Sequence, residues 1–261
     1  MTSGKQARRQ RQQAARPPVR STEGRRASPA VLIAAVAGIV ILAAVVIGVL
    51  VLSGGSDQAS TTTGTKLSGA ADVERQFAGI PQSGDVLGKA SAPATLVEYI
   101  DLQCPICRQF ETEVMPTIID RYVRTGKLKV IARPVVIIGP DSETGRRGMI
   151  AASKQNRAFN FAQILYFNQG PENGGWLNDS MVTDAATSIP GVNVAQLQQD
   201  ADSQAVKDKA ATYDSQARAD NLSGTPTLLV GKSGGKLTSL GAGSPSVEQL
   251  SAAIDQVLKS Q

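Results

Sequence analysis

From Ala30 to Leu52 the chain runs for 23 residues without a charge, and apart from Gly38 and Gly48 every one is Ala, Val, Ile or Leu. A helix needs about 20 such residues to cross a ~30 Å hydrocarbon core. A buried helix of a soluble protein would show a polar face, and this stretch has none. It also exceeds the roughly 7–15 apolar residues of a cleaved signal peptide and lacks an A-x-A pattern at its end. The run reads as an uncleaved signal anchor, a single transmembrane helix over residues 30–52. Residues 1–29 carry eight basic side chains against Glu23 alone, a net +7. The whole chain is +5, so the remainder is −2. The positive-inside rule then puts the tail in the cytoplasm and everything after residue 52 outside the cell membrane. The Arg-rich tail is read mainly as a topology signal and lipid anchor. Nucleic-acid binding by it is the lesser alternative, and no nucleic acid is counted among the expected partners.

Residues 53–70 contain four Ser, four Gly and four Thr. The reading is a flexible linker over 53–75, with a reach of roughly 20–25 Å by random-coil scaling. Residues 76–261 have the composition of one folded domain. Ala94 to Asp101 is apolar and β-rich and predicts a central strand. Pro105 suits the first turn of a helix. Ile106, Phe110, Val114, Ile118 and Tyr122 form a stripe along that helix, which Pro116 must kink or deprive of one hydrogen bond. Leu128 to Ile138 predicts a second strand. A mostly helical stretch occupies about 141–222, followed by strands over 225–230 and 236–240 joined at Gly234-Gly235. An amphipathic helix closes the chain from Ser246 to Lys259. The order is α/β with a helical insertion and a mixed sheet.

The chain has no histidine. That excludes Ser-His-Asp and Cys-His catalysis and His-ligated zinc, copper or haem. The two cysteines are Cys104 and Cys107, so four thiolates cannot surround a metal or cluster within one chain. They form a Cys-x-x-Cys unit placed directly after a strand, at the opening of a helix. The N–H groups of a first helical turn and the macrodipole stabilise a thiolate there, which lowers the Cys104 pKa. Cys107, one turn inside, is expected to be less exposed and able to pair with Cys104 or attack a mixed disulfide. Two other readings are a half zinc site and an inert disulfide. The first lacks nitrogen or sulfur partners, and the second would close a loop too short to constrain the chain. Trp176 sits in a Gly/Asn-rich segment, where it either packs or lines a groove.

The segment from Glu98 to Phe110, read as Glu-Tyr-Ile-Asp-Leu-Gln-Cys-Pro-Ile-Cys-Arg-Gln-Phe, resembles the active-site segment of DsbA-like thioredoxin-fold proteins. Gly224-Thr225-Pro226-Thr227 resembles their cis-proline loop, and Gly79-Ile80-Pro81-Gln82 with Leu87-Gly88 resembles their N-terminal strand and turn. The resemblance spans about residues 79–258 and implies a thioredoxin-like fold with a helical insertion. It implies that Cys104 attacks and Cys107 resolves, that Pro226 is cis and faces the sulfurs, and that Thr225 offers backbone groups to an extended substrate. Glu98 matches the family's buried acid, which relays a proton to or from Cys107; a strand-end carboxylate meeting solvent is the alternative. Strongly oxidising members carry His within the motif where Ile106 stands here, so a weaker depression of the Cys104 pKa is expected. The resulting expectation is a membrane-anchored, extracytoplasmic thiol–disulfide oxidoreductase. It acts as a monomer without cofactor or metal, oxidises reduced exported polypeptides, and is itself reoxidised by a membrane quinone-linked thiol oxidase. A reductase or isomerase is the rival enzyme, and a non-catalytic binding module the rival of another class.

Overall fold

A computed structural model describes residues 64–260. The basic tail 1–29, the apolar run 30–52 and the first part of the expected linker lie outside the described residues. Among the described residues no helix is long and apolar enough to cross a membrane.

The folded unit begins earlier than the composition predicts. The Ser/Gly/Thr-rich composition puts residues 64–75 in the linker, yet Ala70–Phe77 is a helix, α1, with Val73 and Phe77 buried. These two lie one turn apart on one face, and the Phe77 and Phe159 ring centroids are 6.3 Å apart. Upstream, the Leu67 amide donates to Ser188 Oγ at 2.8 Å and the Thr65 amide to Asp184 Oδ1 at 2.7 Å. Eight residues that bury two side chains are too brief a signal to stand out against a Ser/Gly/Thr-rich approach. Phe77→Ala is expected to lower unfolding stability by about 3–4 kcal/mol. A urea denaturation series reads this directly, and an unshifted midpoint would return α1 to the linker.

A short hairpin follows, β1 (Gln82–Ser83) with β2 (Val86–Leu87). Gly88 ends it at φ +101°, where an added Cβ would meet the Leu128 carbonyl oxygen at 2.9 Å. Next come β3 (Ala94–Ile100) and one helical run, α2. The run opens as α-helix Pro105–Gln109, widens to a π turn over Phe110–Val114, continues as Met115–Ile118 and widens again over Ile119–Val123. Pro116 lies between the two wide turns, where a missing N–H is accommodated by rearranged bonding. Phe110, Val114, Ile118 and Tyr122 are buried as the stripe requires, but Ile106 is 45% exposed. Strand β4 (Leu128–Pro134) precedes the insertion. The insertion holds α3 (Asp141–Ser153), α4 (Ala158–Phe167), α5 (Asp179–Thr187), α6 (Val194–Ala201) and α7 (Gln204–Ala219). Strands β5 (Thr227–Lys232) and β6 (Leu237–Ala242) and helix α8 (Val247–Lys259) complete the chain. Ser246 and Gln249 form a capping box at the start of α8, each side chain bonding the other's backbone N–H.

The sheet order is β1-β2-β4-β3-β5-β6. β3 and β4 are parallel and the other pairs antiparallel. Side chains of β3 alternate between two cores, as the period of two dictates. Leu96 and Ile100 join the larger core with α2, α8 and the insertion helices, while Val97 and Tyr99 pack against Ala217 of α7. Glu98, between Val97 and Tyr99, therefore points to the side of Leu96 and Ile100.

Candidate active site

β3 ends at Ile100, and Asp101 leaves the sheet with its side chain fully buried. Its Oδ1 accepts the Gln103 amide at 2.9 Å and the Ser142 hydroxyl at 2.7 Å. Its Oδ2 accepts the amides of Ile137 and Ile138 at 2.8 and 2.9 Å. This explains why β4 stops short of the expected Ile138, since those amides bond a carboxylate instead of a strand. Four donors converging on one buried carboxylate satisfy it as burial requires.

The next residues are held by side chains of the insertion. Gln103 Nε2 donates to Ser142 Oγ at 2.9 Å, and Gln103 Oε1 accepts the Asn173 amide at 2.7 Å. Gln169 Nε2 donates to the carbonyls of Leu102 and Cys104 at 3.0 and 3.2 Å. The Tyr166 hydroxyl donates to the Asp101 carbonyl at 3.2 Å. Trp176 packs against the core beside Gly170 instead of standing free.

Cys104 takes the N-cap position of α2 in extended backbone, with Pro105 behind it. Its amide donates to the Asp101 carbonyl at 3.0 Å and its carbonyl accepts the Arg108 amide at 3.0 Å. Both cysteines are free thiols. Cys104 is 4% exposed and Cys107 0%, in the order expected. The Thr225–Pro226 peptide bond is cis. Across from the motif, the Cys104 thiol donates to the Thr225 carbonyl at 3.3 Å. The Thr225 hydroxyl has no other partner and lies against both sulfurs.

These contacts divide the labour of the two thiols. The Cys104 thiol is pulled from an ordinary value of 9.0 down to about 6. The hydrogen bond from the Cys107 thiol is the largest cause; burial opposes it, and the Thr225 hydroxyl and the amides of Cys107 and Ile106 add to it. The helix start thus contributes as the sequence implied, but less than the neighbouring thiol. The bond to the Thr225 carbonyl belongs to the thiol form and is lost when the sulfur ionises. Cys107 moves the other way, chiefly by burial and then by its bond to Cys104.

Glu98 is not a strand-end carboxylate meeting solvent. It is buried beneath α2 against Glu111, a second buried acid that the sequence reading did not single out. A signal for it was present: Glu111 follows Cys107 by four residues, which puts both on one helical face. Asp101, Gln103, Gln169 and Tyr166 were missed as well.

The family model described as Thioredoxin matches residues 82–256. The chain belongs to the thioredoxin family. A curated relative, "Probable disulfide bond formation protein D" from Bacillus cereus, is 29% identical over 176 residues, covering 66% of this chain and 78% of the relative. The crystal structure of oxidised BdbD from Bacillus subtilis superposes with a TM-score of 0.60 at 21% identity, covering 75% of this chain and 97% of that one. The structure of Pseudomonas aeruginosa DsbA2 does so with a TM-score of 0.55 at 26% identity, covering 69% and 97%. This member of the thioredoxin family is a DsbA-like thiol–disulfide oxidoreductase with a helical insertion.

Proposed function

We propose that the protein is a membrane-anchored oxidase of dithiols in exported polypeptides, with Cys104 and Cys107 as its redox pair. A substrate thiolate attacks Cys104 Sγ, the Cys104–Cys107 bond breaks, and its electron pair leaves on Cys107. A second substrate thiolate then attacks the substrate sulfur of the mixed disulfide and expels Cys104 as thiolate. The substrate loses two electrons and the protein gains them. A membrane quinone-linked thiol oxidase takes them away again. Thr225 and cis-Pro226 present the substrate backbone to Cys104, and Glu98 exchanges a proton with Cys107.

The observation that carries this reading is the contrast between the sulfurs: one low-pKa thiol at a helix start, one buried thiol beneath it. A stabilised Cys104 thiolate favours the reduced protein, which makes the disulfide the more oxidising form. The names of the Bacillus relatives agree with this direction. The apolar run 30–52 with its basic flank supports an outward-facing domain tethered to the cell membrane. Trapping thiols in intact cells with a membrane-impermeant alkylating mass tag tests direction and location together. An oxidase outside the membrane should be mostly disulfide at steady state and should take the tag only after external reductant. A dithiol at steady state would favour a reductase or isomerase, and tagging only after lysis would place the domain in the cytosol.

A further inference from the structure

The two connections that bracket Cys104 also wall a cavity. The β4–α3 connection is tied to the motif through Asp101, whose carboxylate accepts the Ile137 amide and whose carbonyl accepts the Cys104 amide. The α7–β5 connection runs from Leu222 to Thr225, whose carbonyl accepts the Cys104 thiol. β3 and β4 are parallel and β5 runs against β3. The ends of β3 and β4 and the start of β5 therefore share the sheet edge that carries the cysteines. A cavity of about 370 Å³ opens there, bounded by Val136, Ile137, Ala217, Leu222, Arg146 and Arg218. Its floor belongs to the smaller core, on the sheet face opposite α2. That volume suits a ligand's apolar group. Ile137 is 51% exposed at its mouth, and with Ile106 it makes two of the four large apolar side chains exposed among the described residues. Apolar surface left uncovered beside a reactive group marks a place for a partner. The two arginines differ. Arg146 is occupied, since it bonds Glu143 and Asp214 and braces α3 to α7. Arg218, in the last turn of α7, is exposed and enters none of the ion pairs among the described residues.

We propose that this cavity is a substrate subsite. It takes a large apolar side chain near the reacting cysteine of a reduced exported polypeptide, and an acidic residue beside that side chain meets Arg218. A segment whose cysteine lies at Cys104 Sγ and that continues toward β4 crosses the mouth of the cavity. Polypeptides that have not folded display large apolar side chains, whereas folded ones bury them. The subsite therefore selects unfinished chains over finished ones. It performs no chemistry of its own: Val136 and Arg218 are not among the groups that set the Cys104 pKa. The identity of the ligand rests on the oxidase reading; binding in the cavity needs no turnover.

Short dithiol peptides carrying Phe-Glu, Phe-Lys or Ser-Glu at successive positions beside the cysteines probe the full-length protein. At the placement that reaches the cavity, Phe-Glu should give a kcat/KM about tenfold above Ser-Glu, because the ring is buried. It should stand about threefold above Phe-Lys, the size expected of one exposed charge pair. V136W fills the mouth and should erase the first preference. R218E should reverse the second, and its exposed position keeps the test open if V136W misfolds. The thiolate midpoint of Cys104 should stay in place in both. Cysteine-free versions of the peptides, with serine in place of cysteine, should bind in the same order and shift the methyl resonances of Val136, Ile137 and Leu222. Binding in that order by a protein without dithiol exchange would sustain the subsite and overturn the oxidase reading. Exchange with no preference at any placement, or preferences that survive both variants, would overturn the subsite and leave the oxidase reading standing. Dimerisation that V136W abolishes, with methyl resonances unmoved by every peptide, would give the cavity to a second copy and overturn the subsite as well.

Discussion

Cys104→Ser is expected to reduce oxidation of a reduced, unfolded substrate to the uncatalysed background. Cys107→Ser cannot form the Cys104–Cys107 disulfide and should fail to oxidise that substrate too. Its Cys104 thiolate should still attack an added substrate disulfide, displace one substrate sulfur as thiol and remain in a mixed disulfide, because the resolving sulfur is gone. The same pair of variants exposes the physical basis of the effect. In the reduced parent protein, the ultraviolet thiolate absorbance should rise with a midpoint near pH 6, matching the Cys104 value. It should vanish in Cys104→Ser. It should stay close to that midpoint in Cys107→Ser, where a hydroxyl, a better hydrogen-bond donor than the thiol it replaces, stands in the same place. The folded pKa lies below the unfolded one, so reduced protein binds fewer protons than its unfolded chain between these values. Its stability therefore rises as pH climbs from about 6 to 9 and is lost as pH falls through 6. At pH 7 the gain is about 1.4 kcal/mol, which corresponds to about 30 mV of oxidising potential. A reduced form whose stability is flat across this interval would contradict the assignment.

Asp101→Ala should be the most damaging single change outside the cysteines. It removes the acceptor of four donors at once: the amides of Gln103, Ile137 and Ile138 and the Ser142 hydroxyl. Each buried donor left without a partner costs about 1–3 kcal/mol. Relaxation recovers part of that, and about 3–5 kcal/mol is the expected net loss. Denaturant unfolding of the reduced protein measures it. Exchange should slow in the surviving folded fraction, because the segment before Cys104 loses its anchor to the β4–α3 connection. A loss below 1 kcal/mol would mean that the loop refolds around the alanine and that the carboxylate is dispensable.

Much of this site was legible because the chemistry is written in consecutive residues. Cys104 and Cys107 announce themselves by spacing, and Thr225-Pro226 by its place before a strand. Glu98 is fixed by its position on β3, whose alternation decides the face it occupies. The rest depends on distance along the chain. Ser142, Tyr166, Gln169 and Asn173 reach the motif from a helical insertion whose residues carry no local mark of their destination. Asp101 reads as a polar end to a strand, and only the arrival of Ile137 and Ile138 makes it an anchor. Glu111 was hidden for another reason. A charged residue in a helix is ordinarily a solvent marker, so its four-residue spacing from Cys107 passed unread. At the amino-terminal side, the Ser/Gly/Thr-rich approach masked α1, whose burial of Val73 and Phe77 is decided by α4.

The loop before Cys104 is clamped by amides and hydroxyls that belong to the insertion, not to the sheet beneath. A graft of Cys-Pro-Ile-Cys into a bare thioredoxin scaffold would thus transplant the letters without the vice that grips them. The helical lobe and the reactive sulfur form a single inheritable part, and engineering one while discarding the other would separate a tool from its handle.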